Sequence, residues 1–173
     1  MSPKSIVEVR HLADLIPLIQ QSTGFSEIAA EIRKERSVSV AGAWGSARAL
    51  VLDALQRDLN RPLLVIAPRK PELEELEYDF SDWLEDSPAV FPAWQTLPRE
   101  HSISDPVFGA RLRTLSAIHS TSTPSLVLTT ISALLQPVPT KEALKSSERQ
   151  LKVGTEIDLE ELTDWLIAKQ FER

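Results

Sequence analysis

The chain has 173 residues, 42% hydrophobic and 25% charged, and a net charge of −6, an ordinary balance for a globular protein large enough to bury a full core. It has no cysteine, which excludes disulfides, thiolate metal sites and cysteine nucleophiles. No run of about 18 apolar residues occurs, so no membrane span is expected. The pI near 5.1 sets the average field against a polyanion.

In chain order, residues 1–10 read as an irregular lead-in, and Met-Ser-Pro-Lys lacks the apolar core of a secretory signal, so a cytoplasmic location is expected. Leu12, Leu15, Ile16 and Ile19 recur at helical spacing over His11–Gln21. Ser22-Thr23-Gly24 reads as a break, after which Ser26 is the expected cap of a second helix with Ile28, Ala29 and Ile32 inward. That pair is expected to form an outer layer on a sheet. Ser37–Ala41 reads as a strand, followed by a glycine turn and a helix from Gly45 to about Asn60. Leu50, Val51, Ala54, Leu55 and Leu59 form the apolar stripe of that helix, with Asp53, Gln56, Arg57 and Asp58 as polar cover.

Leu63–Ala67 is an unbroken apolar run suited to a strand buried on both faces, and Pro68 ends it. Pro71–Leu84 predicts an acidic helix whose inner side is Leu73, Leu76, Phe80, Trp83 and Leu84. Ala89–Phe91 predicts a short strand, and Pro92–Pro106 a long ordered loop. Val107–His119 predicts a helix with Val107, Leu112, Leu115 and Ile118 inward. Ser125–Thr130 and Ile131–Leu135 complete a strand and a short helix. Strands alternating with helices in this way predict a parallel sheet with helices on its faces. The composition changes at Gln136-Pro137-Val138-Pro139, after which Arg149–Val153 reads as a strand. Asp158 is the expected cap of a last helix, with Glu160 and Glu161 in its first turn and Leu159, Leu162, Leu166 and Ile167 buried.

The chemistry centres on Gly42, Gly45, Ser46 and Arg48. A strand, a glycine turn and a helix N-terminus form a phosphate cradle, and a working P-loop reads G-x-x-x-x-G-K-[ST]. With Gly42 first, the last glycine becomes Ala47, the lysine Arg48 and the hydroxyl residue Ala49. Ala49 supplies no magnesium ligand, and Ala47 places a Cβ where a phosphate approaches most closely. No apolar strand ends in paired acids. The turn is therefore a degenerate P-loop whose remaining option is anion binding through the N–H groups of Gly45, Ser46 and Arg48. His11, His101 and His119 show no ligand spacing, and Glu100, His101 and Asp105 read as turn chemistry. Trp94 and Leu97 read as loop anchors. The scattered basic residues Arg33-Lys34, Arg61, Arg69-Lys70, Arg111 and Arg113 read mainly as solvated faces.

The order of these motifs resembles the N-terminal region of bacterial transcription-repair coupling factors (Mfd) from about residue 25 onward. The resemblance rests on Val40–Ala49, Leu63–Pro68, the string W-x-T-L-P-x-E (Trp94, Thr96, Leu97, Pro98, Glu100), Arg111-Leu112, LTTISALLQPVP at 128–139, and the L-K-V-G start at Leu151–Gly154. It implies a RecA-like first domain similar to UvrB that has lost the motifs for hydrolysis, and an inserted α+β domain that recruits UvrA. Residues 1–140 are then a degenerate RecA-like domain with helices on both faces of its sheet, and 141–173 the opening strand and helix of the UvrA-binding domain. The resemblance implies no catalytic residue, metal or cofactor here, with ATP and magnesium serving the motor domains of the full-length protein. Its implied partners, met through that longer chain, are UvrA, RNA polymerase and the motor itself. Arg173 is the one residue offered for UvrA, although Gln170 replaces the usual glycine before Phe171. UvrB carries a tyrosine-rich DNA-binding hairpin, whereas the single tyrosine here, Tyr78, falls on a helix and Gln95–Pro106 has no aromatic residue. DNA binding by this chain is not expected. The alternatives are a nucleotide-binding P-loop ATPase domain and a UvrB-like excision-repair subunit.

Overall fold

The computed structural model describes residues 9–84, 87–94, 106–149 and 151–168. A 3-10 turn, Leu12–Leu15, leads into α1 (Ile16–Gln20), followed by α2 (Thr23–Arg33), α3 (Ala47–Leu59), β1 (Leu63–Ala67), α4 (Lys70–Ser81), β2 (Ala89–Phe91) and α5 (Pro106–Ile118). Then come β3 (Leu126–Thr130), α6 (Ile131–Leu134), α7 (Lys141–Ser146) and α8 (Leu159–Ala168).

The three strands form a parallel sheet in the order β1-β3-β2, with Leu63 opposite Leu126 and Ala89 opposite Val127. The chain thus steps past the β3 position on leaving β1 and turns back on leaving β2. Right-handed crossovers then place the two connecting helices on opposite faces. On one face α3 and α4 bury Ala49, Leu73, Leu76 and Phe80 against Ala67, Leu126 and Leu128. On the other, Leu115 of α5 and Ala133 of α6 pack with Phe91 and Val127. Leu64 and Ile66 project to that second face, where they are 55% and 48% exposed. Among the described residues β1 pairs with β3 alone, and no described strand lies along its other edge.

The helical pair α1 and α2 is present but packs on α3, not on the sheet: Ile16, Phe25 and Ala29 close over Leu50, Ala54 and Leu55. Ser22, not Ser26, caps α2, accepting from the Phe25 N–H at 3.3 Å. Thr23 and Gly24 lie inside its first turn. The break read in the sequence is therefore a cap.

Four expectations need correction. Ser37–Ala41 is not a strand: the segment is exposed and joins no ladder among the described residues. Alternating Val38 and Val40 carry a strand pattern, but a strand exists only with a hydrogen-bonding partner. Arg149–Val153 likewise forms no strand in its described residues. Capped by Asp158, whose Oδ1 accepts from Glu160 and Glu161 N–H at 2.8 and 3.2 Å, α8 forms as expected. Its apolar side is not buried, however: Leu159 and Ile167 are exposed, and Leu162 and Leu166 only half-buried. Finally, Asp53 is no polar cover. It is 3% exposed, accepts Arg57 Nε and Nη2 at 2.8 and 3.1 Å, and receives the Trp83 indole N–H at 3.1 Å.

That network ties α3 to the segment after α4 and gives both oxygens of a buried carboxylate a donor. Asp53→Ala strands the indole N–H and a partly exposed guanidinium, and is expected to cost about 2 kcal/mol in urea unfolding. Asp53→Asn, which keeps an acceptor, is expected to cost about half as much.

Candidate functional site

The glycine turn adopts the backbone its residues predict. Gly42 and Gly45 have φ of +87° and +52°, a region closed to most side chains. A Cβ at either position would meet no atom within 4 Å, so the requirement is conformational and not steric. Trp44, between them, is 83% exposed.

Several donors of the turn are engaged. The Ala47 N–H bonds Trp44 O at 3.2 Å and the Arg48 N–H bonds Gly45 O at 3.1 Å. The Ser46 hydroxyl donates to Asp79 Oδ1 at 2.7 Å, and Arg48 Nη2 to Glu75 Oε2 at 3.1 Å. Both acceptors belong to α4, so the structure sets Gly42, Gly45, Ser46 and Arg48 beside a carboxylate wall. An anion at the turn would have to displace these bonds and face Glu75 and Asp79. Hydroxyl and guanidinium here lock the turn to α4.

A second cluster lies at the other end of the sheet's connectivity. Arg111, read from the sequence as part of a solvated face, is 2% exposed. Its Nη1 donates to Pro92 O at 2.8 Å and Gln136 Oε1 at 3.1 Å, and its Nη2 to Pro137 O at 3.3 Å. The guanidinium carbon stands 4.1 Å from the Phe91 ring centroid and 5.4 Å from that of Trp94. No carboxylate is bonded to this cation among the described residues; peptide and amide oxygens and two aromatic rings surround it instead. Burial pulls the guanidinium below the usual arginine range.

Gln136 completes the cluster by accepting the Trp94 N–H at 2.7 Å and returning its own amide N–H to Trp94 O at 3.3 Å. This two-way bond mimics a strand pairing and holds the chain where it leaves β2. The Trp94 ring meets Phe108 of α5 edge-on at 6.1 Å. Thr114, one turn after Arg111, donates to Val90 O at 2.6 Å. The inward side of α5 is therefore Arg111 and Thr114 beside Leu115, while Ile118, expected inward, is exposed. Helical periodicity counts apolar residues and passes over a polar side chain whose acceptors lie about 20 residues away.

Glu100, His101, Asp105, Thr96, Leu97 and Pro98 lie outside the described residues, as do Gln170, Phe171 and Arg173. Among the described residues no group of three or more His, Asp or Glu side chains has metal-binding geometry. No described helix is long and apolar enough to cross a membrane.

No protein-family model matches the chain. Over 136 residues the chain is 27% identical to the transcription-repair-coupling factor of Bacillus subtilis (strain 168), a match that takes in 78% of this chain and 12% of that protein. The chain is related to this coupling factor over a small part of its length. The matched length is enough to include most of the sheet and its helices.

Proposed function

We propose that the chain is a non-hydrolysing, RecA-like module of a transcription-coupled repair protein. In a longer polypeptide it would scaffold the recruitment of UvrA and pack against the motor to regulate it. RNA polymerase would be met through other parts of that polypeptide. The observation that carries the reading is the relation to the coupling factor across 78% of the chain.

The site chemistry supports the same reading. Ala49 offers no oxygen to a magnesium ion, Arg48 is paired with Glu75, and the Ser46 hydroxyl is paired with Asp79. Gly42, Gly45, Ser46 and Arg48 are then a structural turn with the outline of a P-loop. Residues 1–140 would form the degenerate domain and 141–173 the start of the UvrA-binding one, where Arg173 is the residue offered for contact. ATP and magnesium would serve the motor, and a cytoplasmic site of action follows from the role.

The purified chain, incubated with ATP and magnesium, is expected to release phosphate at the rate of a protein-free control. Magnesium-dependent turnover that an Arg48→Ala variant loses would overturn the reading in favour of a P-loop ATPase.

A further inference from the structure

β2 pairs with β3 alone, and no described strand lies along its other side. A groove of about 370 Å³ runs there, floored by Pro88, Ala89 and Val90. Its walls come from helices on opposite faces of the sheet. Glu77 of α4 stands on one, and Ala110, Arg113, Thr114 and Ala117 of α5 stand on the other. Residues 110 to 117 cover two turns of helix, about 10 Å, which is the length that three strand residues span. The groove therefore follows the free edge of β2 along its whole length.

Its shape and chemistry suit one more strand. Neighbouring strands stand about 4.8 Å apart, and the short side chains of Ala110 and Ala117 leave room of that order beside β2. Thr114 Oγ1 donates to Val90 O at 2.6 Å, which holds α5 beside the strand and leaves that oxygen a second lone pair for another donor. Neither charge of the groove is engaged: the Glu77 carboxylate and the Arg113 guanidinium have no hydrogen bond or ion pair among the described residues. Successive side chains of an extended chain point to opposite faces. A segment lying here would turn one residue toward Glu77 and the next toward Arg113.

We propose that the β2 groove receives an extended segment of a partner protein, with a basic and an acidic residue in succession, as a further strand of the sheet. Main-chain hydrogen bonds supply the affinity, and the two opposite charges select the sequence. A second copy of this chain fits less well. Two β2 strands paired about a two-fold axis would turn the Glu77 sides of both copies together on one face and the Arg113 sides together on the other. A nucleic-acid strand offers no row of amides to β2 and sets phosphates against Glu77. The groove's chemistry does not depend on the repair-coupling assignment.

The test is a titration of the ¹⁵N-labelled chain with acetyl-Thr-Val-Lys-Glu-Val-Thr-amide, following the backbone amides of Ala89 and Val90. A saturable shift is expected. Two analogues, N-methylated on alternate amides of the peptide, separate strand pairing from charge attraction. Only the analogue whose blocked N–H groups face β2 is expected to lose binding. Glu77→Lys, at an exposed position, is expected to weaken binding of the Lys-Glu peptide about fivefold and to strengthen that of its Glu-Glu counterpart. An absent shift, equal effects of the two analogues, or indifference to Glu77→Lys would each overturn the proposal. So would movement of the same amides on dilution without peptide, which would assign the groove to a second copy.

Discussion

Arg111→Leu is expected to destabilise the chain by about 3 kcal/mol, although it replaces a charge in the interior with a residue suited to one. Three part-buried oxygens lose the guanidinium together: those of Pro92 and Pro137, and Gln136 Oε1, which keeps the Trp94 N–H. Hydrogen bonds from a charged group contribute about 1.5–3 kcal/mol each, and the relief of desolvating the cation offsets part of their sum. Both exits from the carboxyl side of the sheet lose a tie at once, so the change should also be local and visible. Trp94, held by the Gln136 amide that Arg111 orients, is expected to gain exposure to a quencher such as iodide. Arg111→Lys is expected to recover less than half of the loss, because one ammonium cannot span acceptors arranged for a fork. Urea midpoints for the two variants, read by far-UV circular dichroism, check both values. Equal stability of wild type and Arg111→Leu would mean that the three oxygens find water once the guanidinium is gone.

Phe80→Ala is expected to cost about 4 kcal/mol, at the upper end for a core truncation. Phe80 is fully buried between α4 and the sheet, in the cluster with Leu73, Leu76 and Leu128, and its ring meets Trp83 at 5.9 Å. A domain of this size has only about 5–15 kcal/mol of stability in all, so the loss takes a large share of it. Phe80→Leu, which keeps most of the volume, is expected to cost about 1 kcal/mol. The urea midpoint should fall in proportion in both cases, with the slope of the transition unchanged. A truncation that cost no more than Phe80→Leu would show that neighbouring side chains collapse into the space.

The sheet was legible wherever a strand announces itself by its own residues. Leu63–Ala67 between Pro62 and Pro68, Ala89–Phe91, and Leu126–Thr130 all form where their apolar runs lie. Ser37–Ala41 has an alternating strand pattern and joins no ladder among the described residues, because pairing depends on a neighbour that no local pattern encodes. The acidic helix α4 was legible with its inner face because every inward residue is apolar: Leu73, Leu76 and Phe80 are buried. On α3 and α5 the inner faces include Asp53, Arg111 and Thr114. Their partners stand up to 30 residues away, at Trp83, Pro92, Gln136 and Val90, so a periodicity argument assigns two of them to solvent. The glycine turn was legible as backbone and silent about its acidic neighbours, since Glu75 and Asp79 reach it only through the packing of α4.

The open side of β1 has a consequence for handling the protein. Its five residues, Leu-Leu-Val-Ile-Ala, contain no charge, proline or bulge to blunt a backbone edge that no described strand pairs. When warming loosens the helices, strands from different molecules can join there faster than any one chain refolds. Heating is then expected to be a one-way process whose midpoint moves with scan rate and concentration, so that durability becomes a lifetime instead of an equilibrium. Denaturant titrations and hydrogen exchange at low concentration keep the comparison between variants reversible. Leu64→Lys is expected to make heating more reversible, read as the signal recovered in a second thermal scan.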